Sequence, residues 1–299
     1  MGKGAAFQWR TGLGKRLRIA IVAPSSRIDE KLPDEARAAA RALYGDAAPE
    51  LFFHRQCFAS SGHFAGDDAA RAAALAEVAN DPLFDAVWFA RGGYGSCRIA
   101  ERAVGALDGE ARAKTFLGYS DGGSMLAALY RAGHERLFHG PVVADLRREG
   151  GAAAFARALA WFVGRDRAAL EPSVEPGTRY AAFNLTILSQ LLGTPLEPDL
   201  AGHVLMLEEV SEYMYRIDRA FFHVTSNANI RKVAGIRLGR CSLVPENDPD
   251  FGQDEEEVAR HWCERSGIPF LGRADIGHDA ANRIVPFGEL ALPAASPRL

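Results

Sequence analysis

Short apolar runs alternate with helical stretches, many of them alanine-rich, through the first half of this 299-residue chain. Residues 17–24, LRIAIVAP, form a continuous apolar run that stops at Ser25-Ser26. Continuous rather than alternating hydrophobicity marks a strand buried on both faces. Pro33 to Tyr44 then reads as a helix, with Pro33 and Asp34 at its start. The alternation continues with a strand over Glu50 to Gln56, a helix over Asp67 to Asn80, a strand over Phe84 to Ala90 and a helix over Ser96 to Ala106. A strand at Thr115 to Leu117, a helix around Met125 to Tyr130 and a strand over Leu137 to Val143 complete it. Such alternation implies βαβ units and a parallel sheet, an α/β fold.

Residues 151–165 read as one more helix, after which periodicity fades through Glu171-Pro172 and Glu175-Pro176-Gly177. The expected organisation is an N-terminal α/β domain over 1–165, a linker over 166–183 and a second domain over 184–299. In that second part Asn184 to Leu192 reads as a helix. Strands dominate beyond it, at His203 to Glu209, Val233 to Leu238, Ile268 to Leu271 and Arg283 to Leu292. One further helix, Gln253 to Arg265, carries Asp254, Glu255, Glu256 and Glu257 in its first turn. Those acids complement the helix dipole on a solvated face and do not read as a metal site.

Composition narrows the function classes. A net charge of -3 gives no basic face for nucleic acid. No apolar run reaches the ~18 residues that cross a membrane. Met1 to Arg18 is basic but has no apolar core, so it does not read as a secretory signal. Cys57, Cys97, Cys241 and Cys263 are scattered, which speaks against a disulfide frame or a zinc site. A cytoplasmic protein is expected.

The chemistry concentrates at Gly118-Tyr119-Ser120-Asp121-Gly122, between a strand and a helix. That context turns Gly-x-Ser-x-Gly into a nucleophile elbow, with Ser120 exposed on a sharp turn. The same residues also suit a plain strand-to-helix turn. A nucleophilic serine needs a base, and the base needs an orienting acid. His278, in Gly277-His278-Asp279, lies in a loop between strands, where catalytic side chains gather. His139, in His139-Gly140-Pro141, is a rival base that also suits a structural role in a turn. The other six histidines fit the default of a surface position. Glu208 and Glu209 end an apolar strand, so one can face a cleft and the other solvent. Glu212 and Asp218 follow as further acids. For an oxyanion, the N–H groups of Gly92 and Gly93 and the amide of Asp121 are the candidate donors. Gly92-Gly93-Tyr94-Gly95 matches neither Gly-x-Gly-x-x-Gly nor a Walker motif, which speaks against phosphate binding.

Taken together, the motifs resemble the L,D-carboxypeptidases, a family that includes murein tetrapeptide carboxypeptidases and microcin C self-immunity proteins. The resemblance runs through Val22-Ala23-Pro24-Ser25-Ser26, Ala65-Gly66-Asp67, Ala90-Arg91-Gly92-Gly93-Tyr94-Gly95 and Leu117-Gly118-Tyr119-Ser120-Asp121. It continues through His139-Gly140-Pro141, Leu207-Glu208-Glu209-Val210, Tyr215-Arg216-Ile217-Asp218-Arg219 and Gly277-His278. It implies a flavodoxin-like N-terminal domain, a smaller β-rich C-terminal domain, an active site between them and a homodimer. It implies a serine peptidase with Ser120 as nucleophile, Glu208 as acid, His278 as base and Gly93 and Asp121 as oxyanion donors. No metal or organic cofactor is implied. The substrate would be a murein tetrapeptide that loses its terminal D-alanine during peptidoglycan recycling.

Arg91, beside the glycine loop, is a candidate fork for the substrate's carboxylate or else a salt-bridge partner of a strand neighbour. Two departures from the family pattern stand out. Gly122-Gly123-Ser124 follows where an aliphatic residue and Thr or Ser are usual, and Ala182-Phe183-Asn184 replaces Gly-Gly-Asn. Phe183 is expected to narrow the substrate cleft. The alternatives are an immunity-type hydrolase of peptidyl or aminoacyl nucleotides, which would want an aromatic residue in the C-terminal domain to stack on the base, with Trp262 and Phe183 as candidates, and a non-catalytic binding protein on the same fold.

Overall fold

The computed structural model describes residues 16–290. Most of the basic N-terminal segment, and the end of the strand expected over 283–292, lie outside them.

Five parallel strands form the first sheet: β1 (Arg18–Val22), β2 (Glu50–Phe53), β3 (Ala86–Phe89), β4 (Thr115–Gly118) and β5 (Leu137–His139). Their order, 5-4-3-1-2, is the flavodoxin-like arrangement read from its other edge. Strand β1 is buried on both faces, as its unbroken apolar run requires. Ile19 and Ile21 enter one core while Ala20 and Val22 enter the other. The crossover helices are α1 (Leu32–Tyr44), α2 (Asp68–Asn80), α3 (Ser96–Gly105), α4 (Gly122–Arg131) and, after β5, α5 (Gly151–Gly164). Helix α2 starts where Asp67 accepts a bond from the Ala70 amide at 2.7 Å. Pro33 stands at the start of α1.

The second sheet is built on the parallel strands β6 (Arg179–Asn184), β7 (His203–Val210), β8 (Gly235–Ser242) and β9 (Phe270–Arg273). Helices α6 (Leu185–Leu191), α7 (Met214–Ser226) and α8 (Glu255–Ser266) accompany it. The acidic run at the start of α8 is a capping box, with Asp254 and Glu257 satisfying each other's amides. Two expectations are corrected here. Residues 179–183, read as the end of a linker, form most of β6, because Tyr180 to Phe183 are a buried apolar run hidden behind Pro176-Gly177. Helix α7 was missed among its charged residues, although Met214, Ile217, Phe221 and Val224 give it a buried stripe at helical spacing.

The chain end does not form the single strand expected from Arg283 onward. It splits into β10 (Val285–Pro286), antiparallel to β5 in the first sheet, and β11 (Gly288–Glu289), antiparallel to β6 in the second. One short segment therefore ties both sheets together. The two apolar cores likewise run from one sheet into the other. This joint sets the relative position of anything contributed by both halves.

Candidate active site

Three crossover loops meet at the carboxyl ends of β1, β3 and β4, where the strand order reverses and α/β sheets place their ligands. Ser120 sits at the tip between β4 and α4. Its φ is 58°, in the left-handed region that a non-glycine residue rarely adopts. Such strain persists only where packing enforces it. Here Phe89 does so from β3. A Cβ on Gly118 would stand 2.3 Å from its ring and one on Gly122 2.8 Å, so only glycines let strand, turn and helix close over it.

His278 comes from the loop between β9 and β10. Its Nε2 lies 2.9 Å from Ser120 Oγ. Its Nδ1 lies 2.6 Å from Glu208 Oε2, near the end of β7. The three residues, spread over 158 positions, thus form one chain of hydrogen bonds. Glu208 is fully buried, and burial pushes its carboxyl above the usual range against the pull of His278. That leaves the carboxylate with the imidazole as its charge partner.

The alternation expected for the glutamate pair holds, but neither side chain faces solvent. Glu209 is also buried, and it accepts bonds from Asn184 Nδ2, the Thr186 amide and hydroxyl, and the Val210 amide. It is the anchor of the α6 N-terminus. Glu212 pairs with Arg216 and Asp218 accepts from Trp262 Nε1, so neither competes for His278.

His139, the rival base, is buried beside Asn282, 3.3 Å from its Oδ1, and burial drives its pKa down to about 3. It stays a neutral packing group. His54, His134 and His203 are buried rather than at the surface expected of them. His203, for example, meets the Tyr130 hydroxyl at 2.8 Å.

The glycine loop after β3 borders the serine. A Cβ on Gly92 would stand 2.9 Å from Ser120 Oγ. Gly93, with φ of 120°, brings its backbone against Ser26, and only glycine accepts that conformation cheaply. Asp121 is buried. Its carboxylate accepts from Ser25 Oγ and from the Ser96 amide at 2.8 Å, so it ties the β1 loop and the start of α3 to the elbow. A pocket of about 540 Å³ opens over these groups, bordered by Arg91, Gly93, Ser120, Arg148 and His278. Arg91 is exposed there and reaches only the Arg27 carbonyl, at 3.4 Å, among the described residues.

Sequence reasoning missed the wall on the β5 side. Tyr119, buried and kept protonated chiefly by that burial, donates to Asp145 Oδ1 at 3.0 Å and packs its ring 4.8 Å from His278. Arg148 Nε donates to the same Asp145 oxygen at 2.6 Å. Tyr119 lay in plain view inside the elbow motif. Asp145 and Arg148 carried no motif at all. Phe183, expected to narrow the cleft, is instead buried against Phe287 and Gly123 and borders no part of the pocket.

Comparison with known proteins identifies the family. Residues 19–140 match the LD-carboxypeptidase N-terminal domain and residues 179–292 the LD-carboxypeptidase C-terminal domain. A Synechocystis sp. protein provisionally named a carboxypeptidase is 32% identical over 288 residues, covering 92% of this chain and 90% of its own. The murein tetrapeptide carboxypeptidase of Pseudomonas aeruginosa is 26% identical over 297 residues, 92% of each chain. Among solved structures, the microcin C7 self-immunity protein MccF shares the fold with a TM-score of 0.75 at 17% identity, 92% of each chain being covered. With both domain matches in order along one chain, this protein belongs to the LD-carboxypeptidase family and is a serine-type carboxypeptidase.

Proposed function

We propose that this enzyme removes the terminal D-alanine from murein tetrapeptides, through a Ser120–His278–Glu208 triad and an acyl-enzyme. The observation that carries the reading is the unbroken hydrogen-bond chain from Ser120 Oγ to the buried Glu208 carboxylate, opening on a pocket sized for a peptide end. His278 Nε2 takes the serine proton as Oγ attacks the carbonyl between an L-centre and D-alanine, then returns it to the departing amine. Glu208 fixes the tautomer and stabilises the imidazolium. The Gly93 and Asp121 amides receive the oxyanion, each worth roughly 3 kcal/mol. Water then attacks the ester, with His278 as base again.

The reading has the enzyme working in the cytoplasm, on peptides returned from the wall in peptidoglycan recycling, as a homodimer. Cys57, Cys97, Cys241 and Cys263 are free thiols, as a reducing compartment keeps them. An immunity-type activity on nucleotides would want an aromatic residue in the C-terminal domain to stack on the base. Phe183 is spent in the core and Trp262 on Asp218 and Phe222, which favours the murein peptide. Ser120→Ala is expected to abolish D-alanine release from a murein tetrapeptide while leaving thermal unfolding unchanged. Turnover at the wild-type rate would refute the mechanism.

A further inference from the structure

We propose that Arg148 is the fork that receives the substrate's terminal carboxylate. The assignment rests on the carboxypeptidase reading and adds a residue to it. The leaving group fixes where that cation must stand. Its nitrogen must lie against His278 Nε2 to be protonated, and in a C-terminal amino acid the carboxylate stands one carbon from that nitrogen. The cation that recognises it therefore has to sit beside the imidazole.

Three arginines border the pocket, and their bonds separate them. Arg147 is consumed, with Nε and Nη2 on Glu35 at 2.7 and 2.8 Å and a further bond to Asp29. Arg91 follows β3 and stands on the side of the oxyanion glycines, held by one long contact. Arg148 follows β5, across β4 from that loop. Its Nη1 donates to the carbonyl of His278 itself at 2.8 Å. With Nε on Asp145, two of its five N–H hydrogens are committed and its plane is fixed. A guanidinium oriented in advance loses less entropy on gripping a carboxylate. The substrate would then lie across the tip of β4, its carbonyl oxygen toward Gly93 and its carboxylate toward Arg148.

The test pairs a peptide ending in D-alanine with the same peptide ending in D-alaninamide. The wild-type enzyme is expected to prefer the free acid. Arg148→Gln should lower the acid-to-amide ratio of kcat/KM roughly 10- to 100-fold, the range for losing a charge-assisted bond. Arg148→Lys, which keeps the charge but not the fork, should give an intermediate ratio and serves alone if the glutamine variant does not fold. Equal losses on both peptides would show that Arg148 only steadies the His278 loop, and would overturn the assignment. A wild-type enzyme indifferent to the terminal carboxylate would overturn the carboxypeptidase reading beneath it.

Discussion

The Phe183 ring fills the space that a side chain on Gly123 would occupy: a Cβ there would stand 3.3 Å from Phe183 Cδ1 and 3.6 Å from Ile187 Cγ2. At position 123 the departure from the family pattern is therefore coupled to the one at 183, a large residue on β6 against a small one on α4, whereas Gly122 packs on Phe89. Gly123→Ile should overpack this contact and cost about 1–3 kcal/mol. Phe183→Ala should leave a cavity and cost about 3–5 kcal/mol. In urea unfolding the double variant should be more stable than the sum of the two losses by about 1 kcal/mol or more. Strict additivity would mean that the two positions do not share space.

Gly92 predicts a loss of activity with no loss of fold. Its added methyl would meet the Cβ and Oγ of Ser120, each at 2.9 Å, and the third nearest atom is 3.8 Å away. The side chain that must yield is the proposed nucleophile. Gly92→Ala is expected to lower kcat about 100-fold, since small misplacements of a reacting atom cost that much. Its midpoint of unfolding should stay within a degree or two of wild type. Full activity would show that Ser120 tolerates displacement and is not aimed by this contact.

The adjacent glutamates should respond in opposite ways. Glu208 serves the imidazole, so Glu208→Gln should lower kcat about 10³- to 10⁴-fold with substrate affinity retained. Glu209 gathers four donors around the start of α6, so Glu209→Gln should cost about 2–3 kcal/mol of stability. Activity of the surviving folded fraction should remain. Kinetics and unfolding measured on the same two preparations check both halves, and reversed outcomes would exchange the roles.

The sequence carried the βαβ half well because both of its signals are local. An unbroken apolar run such as Ile19 to Val22 specifies a strand buried on two faces, and Asp67 announces its helix one residue ahead. Ser120 and His278 stood out for the same reason, each within turn chemistry that extended backbone does not need. What stayed hidden depends on distant partners. The apolar stripe of α7 lay among arginines and acids, and β6 lay behind Pro176-Gly177. Arg148 has no local signature, since its role depends on the carbonyl of His278, 130 residues away. The misread cleft role of Phe183 has the same origin. A substitution seen in isolation looked like an obstruction, and only the fold shows that Gly123 makes room for it.

Buried histidines should make the protein acid-sensitive over a defined window. His139 has a folded pKa of about 3, depressed mainly by burial, against an ordinary value of 6.5. Below pH 6.5 the unfolded chain takes up this proton and the folded chain does not. Stability therefore falls as pH drops from 6.5 toward 3, by about 3 kcal/mol at pH 4 from this residue. His134 and His203 are depressed in the same direction. Glu208, with its carboxyl raised, acts oppositely above 4.5, where the folded state holds the proton better than the unfolded one. The contribution of His139 is isolated by comparing slopes. His139→Gln keeps a bond to Asn282 but does not titrate. Its unfolding free energy should fall about 3 kcal/mol less than that of wild type between pH 7 and pH 4. Parallel slopes would mean that His139 is protonated in the folded protein, and so is not sealed in a dry core beside the His278 loop.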